Sequence, residues 1–168
     1  MPTAPLTTQA SGVTALSFVR NMLTQMLETL SDEQMLHQPV PGGNHALWII
    51  GHLAVCDDMM RSMAGGGSSK ASEEWTALFK DGSQPQPEAS AYPPIAEVKC
   101  ALEEYRQDLL DWFDSMDDAA LLEPLDDEWK EFAPTRAALI ASIAAHEAMH
   151  VGQLTVVRKS LSMKPVMA

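Results

Sequence analysis

Apolar positions recur at three-and-four spacing in four long stretches of this chain, and no segment alternates apolar with polar residues in the manner of a strand. In the first stretch Leu16, Val19, Leu23, Met26, Leu27 and Leu30 line one face of a helix predicted over 13–30. A second helix is predicted from an Asn44 cap to about Ala64. At about 100° per residue, His45, Trp48, Ile49, Val55, Cys56, Met59, Met60 and Met63 share the side of His52, whereas Ile50, Asp57 and Arg61 point away. The third helix starts near Pro94, a residue suited to a first turn. It places Val98, Ala101, Leu102, Tyr105, Leu109, Trp112, Phe113 and Met116 on one face, with acids and Arg106 opposite. The fourth opens at Pro134 or Thr135 and runs to about Leu161; Leu139, Ser142, Ile143, Met149, His150, Gln153 and Val157 share the face of His146.

The breaks between these stretches are equally legible. Ser31 is placed to cap a short turn, with Gln34 reaching back and Met35 and Leu36 turned to the core. Pro39, Pro41, Gly42 and Gly43 then interrupt the chain. Met116-Asp117-Asp118 with Leu121, Leu122 and Pro124 echoes that pattern after the third helix, which suggests two halves of a long helix plus a short one. A long connection over 65–93 begins with Gly65-Gly66-Gly67-Ser68-Ser69, ends Pro-rich, and holds a short helix around 72–79. Connections of this length serve as lids or binding rims as well as plain crossovers, and all three readings are open. Residues 1–11 read as a loose leader. Four amphipathic helices without strands define an all-α four-helix bundle. The wheels leave Ile50, Ile140 and Val151 outside the core stripes, where a second chain would cover them.

Composition narrows the picture. A chain of 168 residues with 46% hydrophobic content builds one core, so 1–168 is expected to be a single domain. Its 23 acidic and 11 basic residues give a net charge of -12, which repels phosphate backbones and anionic membranes; neither nucleic acid nor a membrane is an expected partner. No basic region precedes a long apolar run, so a cytoplasmic location is expected. Cys56 and Cys100 lie in helical patterns and read as thiols, and the eleven methionines supply adaptable core or pocket surface.

The chemistry concentrates in the fourth helix. His146-Glu147-x-x-His150 has the spacing by which zinc peptidases hold their metal, because imidazoles at i and i+4 stack on one helix face and converge on one cation. The peptidase reading needs a third ligand downstream, and no His, Asp or Glu follows His150. The third ligand therefore comes from upstream, and His52 is the best candidate, since its stripe is the face that the second helix must bury. Three imidazoles leave coordination positions open for water or substrate, the catalytic pattern, and suit zinc, nickel or iron(II) alike.

Trp48 with Ile50-Gly51-His52-Leu53, and His146-Glu147-x-x-His150-x-Gly152-Gln153-Leu154, resemble the DinB-like family of helical-bundle metalloproteins over about residues 13–161. The resemblance implies a four-helix bundle, a divalent metal on His52, His146 and His150, and frequently a homodimer. Several members of that family are thiol-dependent transferases or isomerases that act on small electrophiles with a low-molecular-weight thiol.

Other residues carry two readings each. Glu147 is either a general base at the rim of the cation or a helix-interface carboxylate. Gln153 is a candidate orienter of His150. Cys56 is a fourth ligand, a reactive thiol, or core filling. His45 lies two turns from His52, a rise of about 10 Å, so it touches a substrate at the mouth or flanks the helix cap; Trp48 belongs to the same pocket. His37 stands in a loop without an evident partner. The preferred function is a metal-dependent enzyme, transferase or hydrolase, that activates water or a small thiol on a small-molecule substrate. A metal- or ligand-binding stress protein without turnover, and a structural bundle with core histidines, are the alternatives.

Overall fold

The computed structural model describes residues 8–129 and 131–166, and these form seven α-helices: α1 (Thr8–Leu27), α2 (Asp32–Met35), α3 (Ala46–Met63), α4 (Glu73–Phe79), α5 (Ile95–Asp114), α6 (Asp118–Leu122) and α7 (Arg136–Ser160). The described residues contain no strand, only one bridging pair, Pro124 with Thr135. None of the described helices is long and apolar enough to cross a membrane.

Side-chain caps start the helices where the polar punctuation predicts. Ser31 and Gln34 form a reciprocal capping box at α2. Ser72, Asp117 and Thr135 accept the backbone N–H three residues on, at α4, α6 and α7. The two short helices α2 and α6 follow α1 and α5, as the internal echo anticipates. Three boundaries differ from the sequence reading, one of them the end of α1, at Leu27 and not Leu30. Helix α1 begins at Thr8, so residues 8–11 are helical and not leader, while the rest of that leader, 1–7, lies outside the described residues. Helix α3 is capped by His45, not Asn44. The Asn44 amide donates to Gln153 Oε1 at 3.0 Å, and His45 Nδ1 accepts the Trp48 N–H at 3.0 Å instead.

The long helices pack most extensively as α1 on α7 and α3 on α5. Arg20 reaches Glu147, and Arg158 reaches the Met26 carbonyl, so α1 and α7 run parallel. Asn44 meets Gln153, and His52 meets His146, so α3 runs antiparallel to α7. The core has two apolar layers. One gathers Leu23, Leu27, Ile49, Leu53, Leu102 and Leu154; the other gathers Leu16, Met60, Leu109, Phe113, Leu139 and Ile143.

Between the layers lies a set of four buried charges, one from each long helix. Arg20 Nε donates to Glu147 Oε1 at 2.6 Å, and its Nη2 lies 3.3 Å from Asp57 Oδ2. Arg106 donates to both Asp57 oxygens at 2.8 and 2.9 Å and to Glu147 Oε2 at 2.7 Å. Burial works against the Arg106 charge, but the two carboxylates outweigh it and hold its pKa above the ordinary value. The sequence wheels set Asp57 and Arg106 on outward faces; both are buried. A helix wheel ranks faces by apolarity and cannot distinguish a solvent-facing charge from one met by an opposite charge on the next helix.

The same limitation explains other reversals. Ile50, Arg61, Ile140 and Val151 are buried within the single chain, so none of them calls for a second copy. Helix α3 is enclosed on several sides, by α2, α4, α5 and α7, and has little outward face over most of its length. Conversely Met59, Met63 and Met149, placed inward by their wheels, are 38, 52 and 60% exposed.

The connection after α3 is fastened down. The buried Asp58 carboxylate accepts from Ser69 Oγ, the Lys70 and Ala71 N–H groups and Arg61 Nη2 at 2.6–2.9 Å. Burial pushes its pKa up, but these four donors prevail and hold it below the usual carboxylate range. Arg61 also donates to the Gly66 and Ser68 carbonyls, so the glycine-rich stretch is tied to α3.

Removing one cation from the central set leaves two buried carboxylates to share one guanidinium. Arg106→Leu is expected to destabilise the fold by about 3–5 kcal/mol in denaturant unfolding, far more than its loss of packing alone. A change below about 1 kcal/mol would show that the charges act as surface ion pairs do.

Candidate metal centre

His52 on α3 and His146 and His150 on α7 meet between the two helices, and one nitrogen of each lies within 4.8 Å of the others. The Nε2 atoms of His52 and His150 stand 3.2 and 3.1 Å from His146 Nε2. His52 and His150 are buried, at 3 and 5% exposure, and His146 is partly exposed, so the cluster faces solvent on the His146 side.

The partners of the other ring nitrogens settle which nitrogens are free. His52 Nδ1 lies 2.7 Å from the Phe79 carbonyl oxygen, which only accepts, so Nδ1 carries the proton and Nε2 presents a lone pair. His150 Nδ1 likewise donates to Gln153 Oε1 at 3.1 Å, and that oxygen also accepts from Asn44 Nδ2. Two lone pairs therefore point at His146 Nε2, where a single proton can bridge only one of the two contacts. A cation satisfies all three. Metal–nitrogen bonds of about 2.0–2.1 Å at tetrahedral angles place their nitrogens about 3.3 Å apart, close to the separations found. The donor set fits a divalent metal ion, with the Nδ1–H partners that orient metal-bound histidines.

Electrostatics keep the rings neutral. Burial lowers the pKa of all three imidazoles, and the neighbouring rings lower His146 and His150 further, His150 to about 4. Neutral imidazole is the form that ligates.

A close helix approach makes the Phe79 contact possible. A Cβ on residue 51 would overlap the Phe79 ring, so Gly51 lets α4 lie directly on α3 and brings the Phe79 carbonyl to His52. Trp48 stacks on the His52 ring with centroids 4.8 Å apart and planes 9° from parallel, and its Nε1 donates to Ser83 Oγ at 2.9 Å. Gly51 stands in the sequence motif, but its partner Phe79, 28 positions on, carries no periodic or chemical mark that ties it to His52.

The remaining candidates divide. Gln153 contacts His150 directly. Cys56 Sγ touches His52 Nε2 at 3.5 Å but lies outside the three-residue convergent set; burial, then Asp57 and Asp81, push its thiol up to about 12. Glu147 has each carboxylate oxygen on a guanidinium and is fully buried, which is the helix-interface placement. His45 is buried and committed at both nitrogens: Nδ1 accepts from Trp48 N–H, and Nε2 donates to the Gln86 carbonyl at 2.9 Å. The first bond caps α3, and the second ties the long connection to it. His37, without an evident partner in the sequence, pairs with Ser160 Oγ at 2.9 Å.

Fold and site together define a helical bundle with a three-histidine group able to hold a metal ion. The sequence profile of the DinB superfamily matches residues 15–154, and the chain belongs to that superfamily. No curated protein matches it.

Purified protein is expected to take up one divalent ion per chain, and His52→Ala, His146→Ala or His150→Ala to lose it, as read by elemental analysis. Protons compete with metal only below the lowered imidazole pKa values. Loading should therefore persist through pH 6.5 and fall as pH drops from there towards about 4, the His150 value. Release centred above 6.5 would contradict the buried geometry. Gly51→Ala, which displaces Phe79, should weaken metal affinity by about 10- to 100-fold with all three ligands intact, measurable by chelator competition.

Proposed function

We propose that the chain is a metal-dependent enzyme that activates water or a small thiol at His52, His146 and His150, for transfer or hydrolysis on a small molecule. The convergence of three neutral imidazoles, with their proton-bearing nitrogens turned outward, carries this reading. Three protein ligands leave room for a further one, the pattern of catalytic rather than structural sites. His52, His146 and His150 would hold a zinc, nickel or iron(II) ion, which would supply Lewis acidity to acidify water or a thiol.

The chain's own residues do the rest. The Phe79 carbonyl and Gln153 fix two rings and their tautomers, and Trp48 covers one face of His52. Arg20 and Arg106 hold Glu147, the residue after His146, and so anchor the helix turn that presents that ligand. With both oxygens engaged, Glu147 serves positioning rather than proton transfer.

The burial of His52 and His150 favours a second reading, a bundle that binds its metal or a small ligand without turnover. The two are separated by screening the metal-loaded protein for thiol conjugation to small electrophiles and for ester and amide hydrolysis. Turnover is expected in one panel, with His146→Ala lowering it at least about 100-fold. No turnover in either panel, with metal bound at full stoichiometry, supports the binding role instead.

A further inference from the structure

Near the C-terminal ends of α1 and α7 lies a cavity of about 640 Å³ that shares no residue with the three-histidine group. Pockets of about 300–1,000 Å³ are the size that takes small molecules. Three segments build its walls. Helix α1 supplies Met22 and Met26, α7 supplies Thr155, Arg158 and Lys159, and the chain after α7 supplies residues 163–166.

Local hydrogen bonding turns that last segment onto the two helices. The Ser162 N–H donates to the Lys159 carbonyl and the Met163 N–H to the Arg158 carbonyl, each at 3.0 Å, and Ser162 takes a φ of 57°, the left-handed conformation with which many helices end. Arg158 then pins both sides of the cavity. Its Nη1 donates to the Met26 carbonyl at 2.9 Å and to Thr29 Oγ1, and its Nη2 donates to the Lys164 carbonyl at 3.0 Å. Met26 belongs to the buried core, and Met22, Met163 and Val166 pack against that core while partly exposed, so the lining is apolar and continuous with the interior. Methionine is unbranched and polarisable, and adapts to apolar guests of different shape.

The charge of this cavity is opposite to that of the chain. The protein has 11 basic residues and a net charge of -12, yet Arg158, Lys159 and Lys164 all line the cavity and no acidic residue does. Arg158 is buried, and its printed partners are two carbonyls and a hydroxyl, none of them anionic. Lys159 and Lys164 are exposed, and none of the three makes an ion pair among the described residues. Arg158 and Lys159 stand in the last turn of α7, where a cation also answers the helix dipole. Lys164, four positions past the helix, has no such local reason. Remote acids are screened beyond about 8 Å at physiological salt, so the cations on the wall decide which charge the cavity accepts.

We propose that this cavity binds a free, small amphiphilic anion of the aliphatic carboxylate class, with its apolar body against Met22, Met26 and Met163 and its carboxylate at the rim formed by Lys159 and Lys164. An apolar guest without charge would leave both lysines unanswered, and a cationic one would be repelled by them. The proposal is independent of the metal centre, since no ligand residue lines the cavity.

The test uses the full chain and three probes of one chain length, each below its micelle-forming concentration: anionic decanoate, neutral decanol and cationic decylammonium. Affinity is read by titration calorimetry, and the place of binding by the NMR shifts of isotope-labelled methionine methyl groups. Decanoate should bind tightest and decylammonium weakest, with shifts confined to Met22, Met26 and Met163. Lys159→Gln combined with Lys164→Gln, two exposed changes that leave the apolar lining intact, should weaken decanoate roughly fivefold to tenfold and leave decanol unchanged. The decanoate preference should shrink at high salt. Equal affinity for the three probes, or decanoate binding that the double variant does not weaken, overturns the assignment of charge. Absence of decanoate binding, or shifts at the exposed Met59, Met63 and Met149 in place of the three lining methionines, overturns the site itself.

Discussion

Four charges buried at mid-height set the register of this bundle. Arg20, Asp57, Arg106 and Glu147 come one from each long helix, sum to zero, and bridge one another across the core. Ions removed from water are costly unless each finds its partner at good distance, and a slide of one helix by a single turn, about 5.4 Å, would strand at least one of them. Apolar layers above and below tolerate small slips far better, because dispersion is not directional. The ionic layer therefore determines which residues of α3 face which residues of α7.

The three-histidine group inherits that register. Glu147 follows His146 directly, and Asp57 lies five residues after His52, so fixing the charges fixes the level at which the imidazoles meet. The second constraint is the hydrogen bonding of the rings. Neutral imidazoles that donate through Nδ1 to the Phe79 carbonyl and to Gln153 have no choice but to present Nε2 to the shared point. Gly51 contributes by what it lacks, since only a residue without Cβ admits the Phe79 ring and the carbonyl behind it.

The long connection is part of this machinery. Asp58 and Arg61 fasten its first residues, and His45, Trp48 and His52 fasten the segment after α4. The observed hydrogen bonds attach this connection to the face of α3 that carries His52.

What the sequence alone determined was local or periodic. Three-and-four spacing gave the long helices, Ser31 gave the cap of the short helix α2, and i, i+4 spacing on α7 with a histidine on the stripe of α3 gave the three histidines that converge. Each of these depends on residues near one another in the chain, or on a single face. Tertiary structure decided the rest: that Asp57 and Arg106 are interior, that Ile50, Ile140 and Val151 are covered by the chain itself, that His45 and not Asn44 caps α3, and that the Phe79 carbonyl meets His52. A charge or a loop carbonyl has no preferred environment until a partner is placed against it, and the partners here lie 27 to 127 positions away.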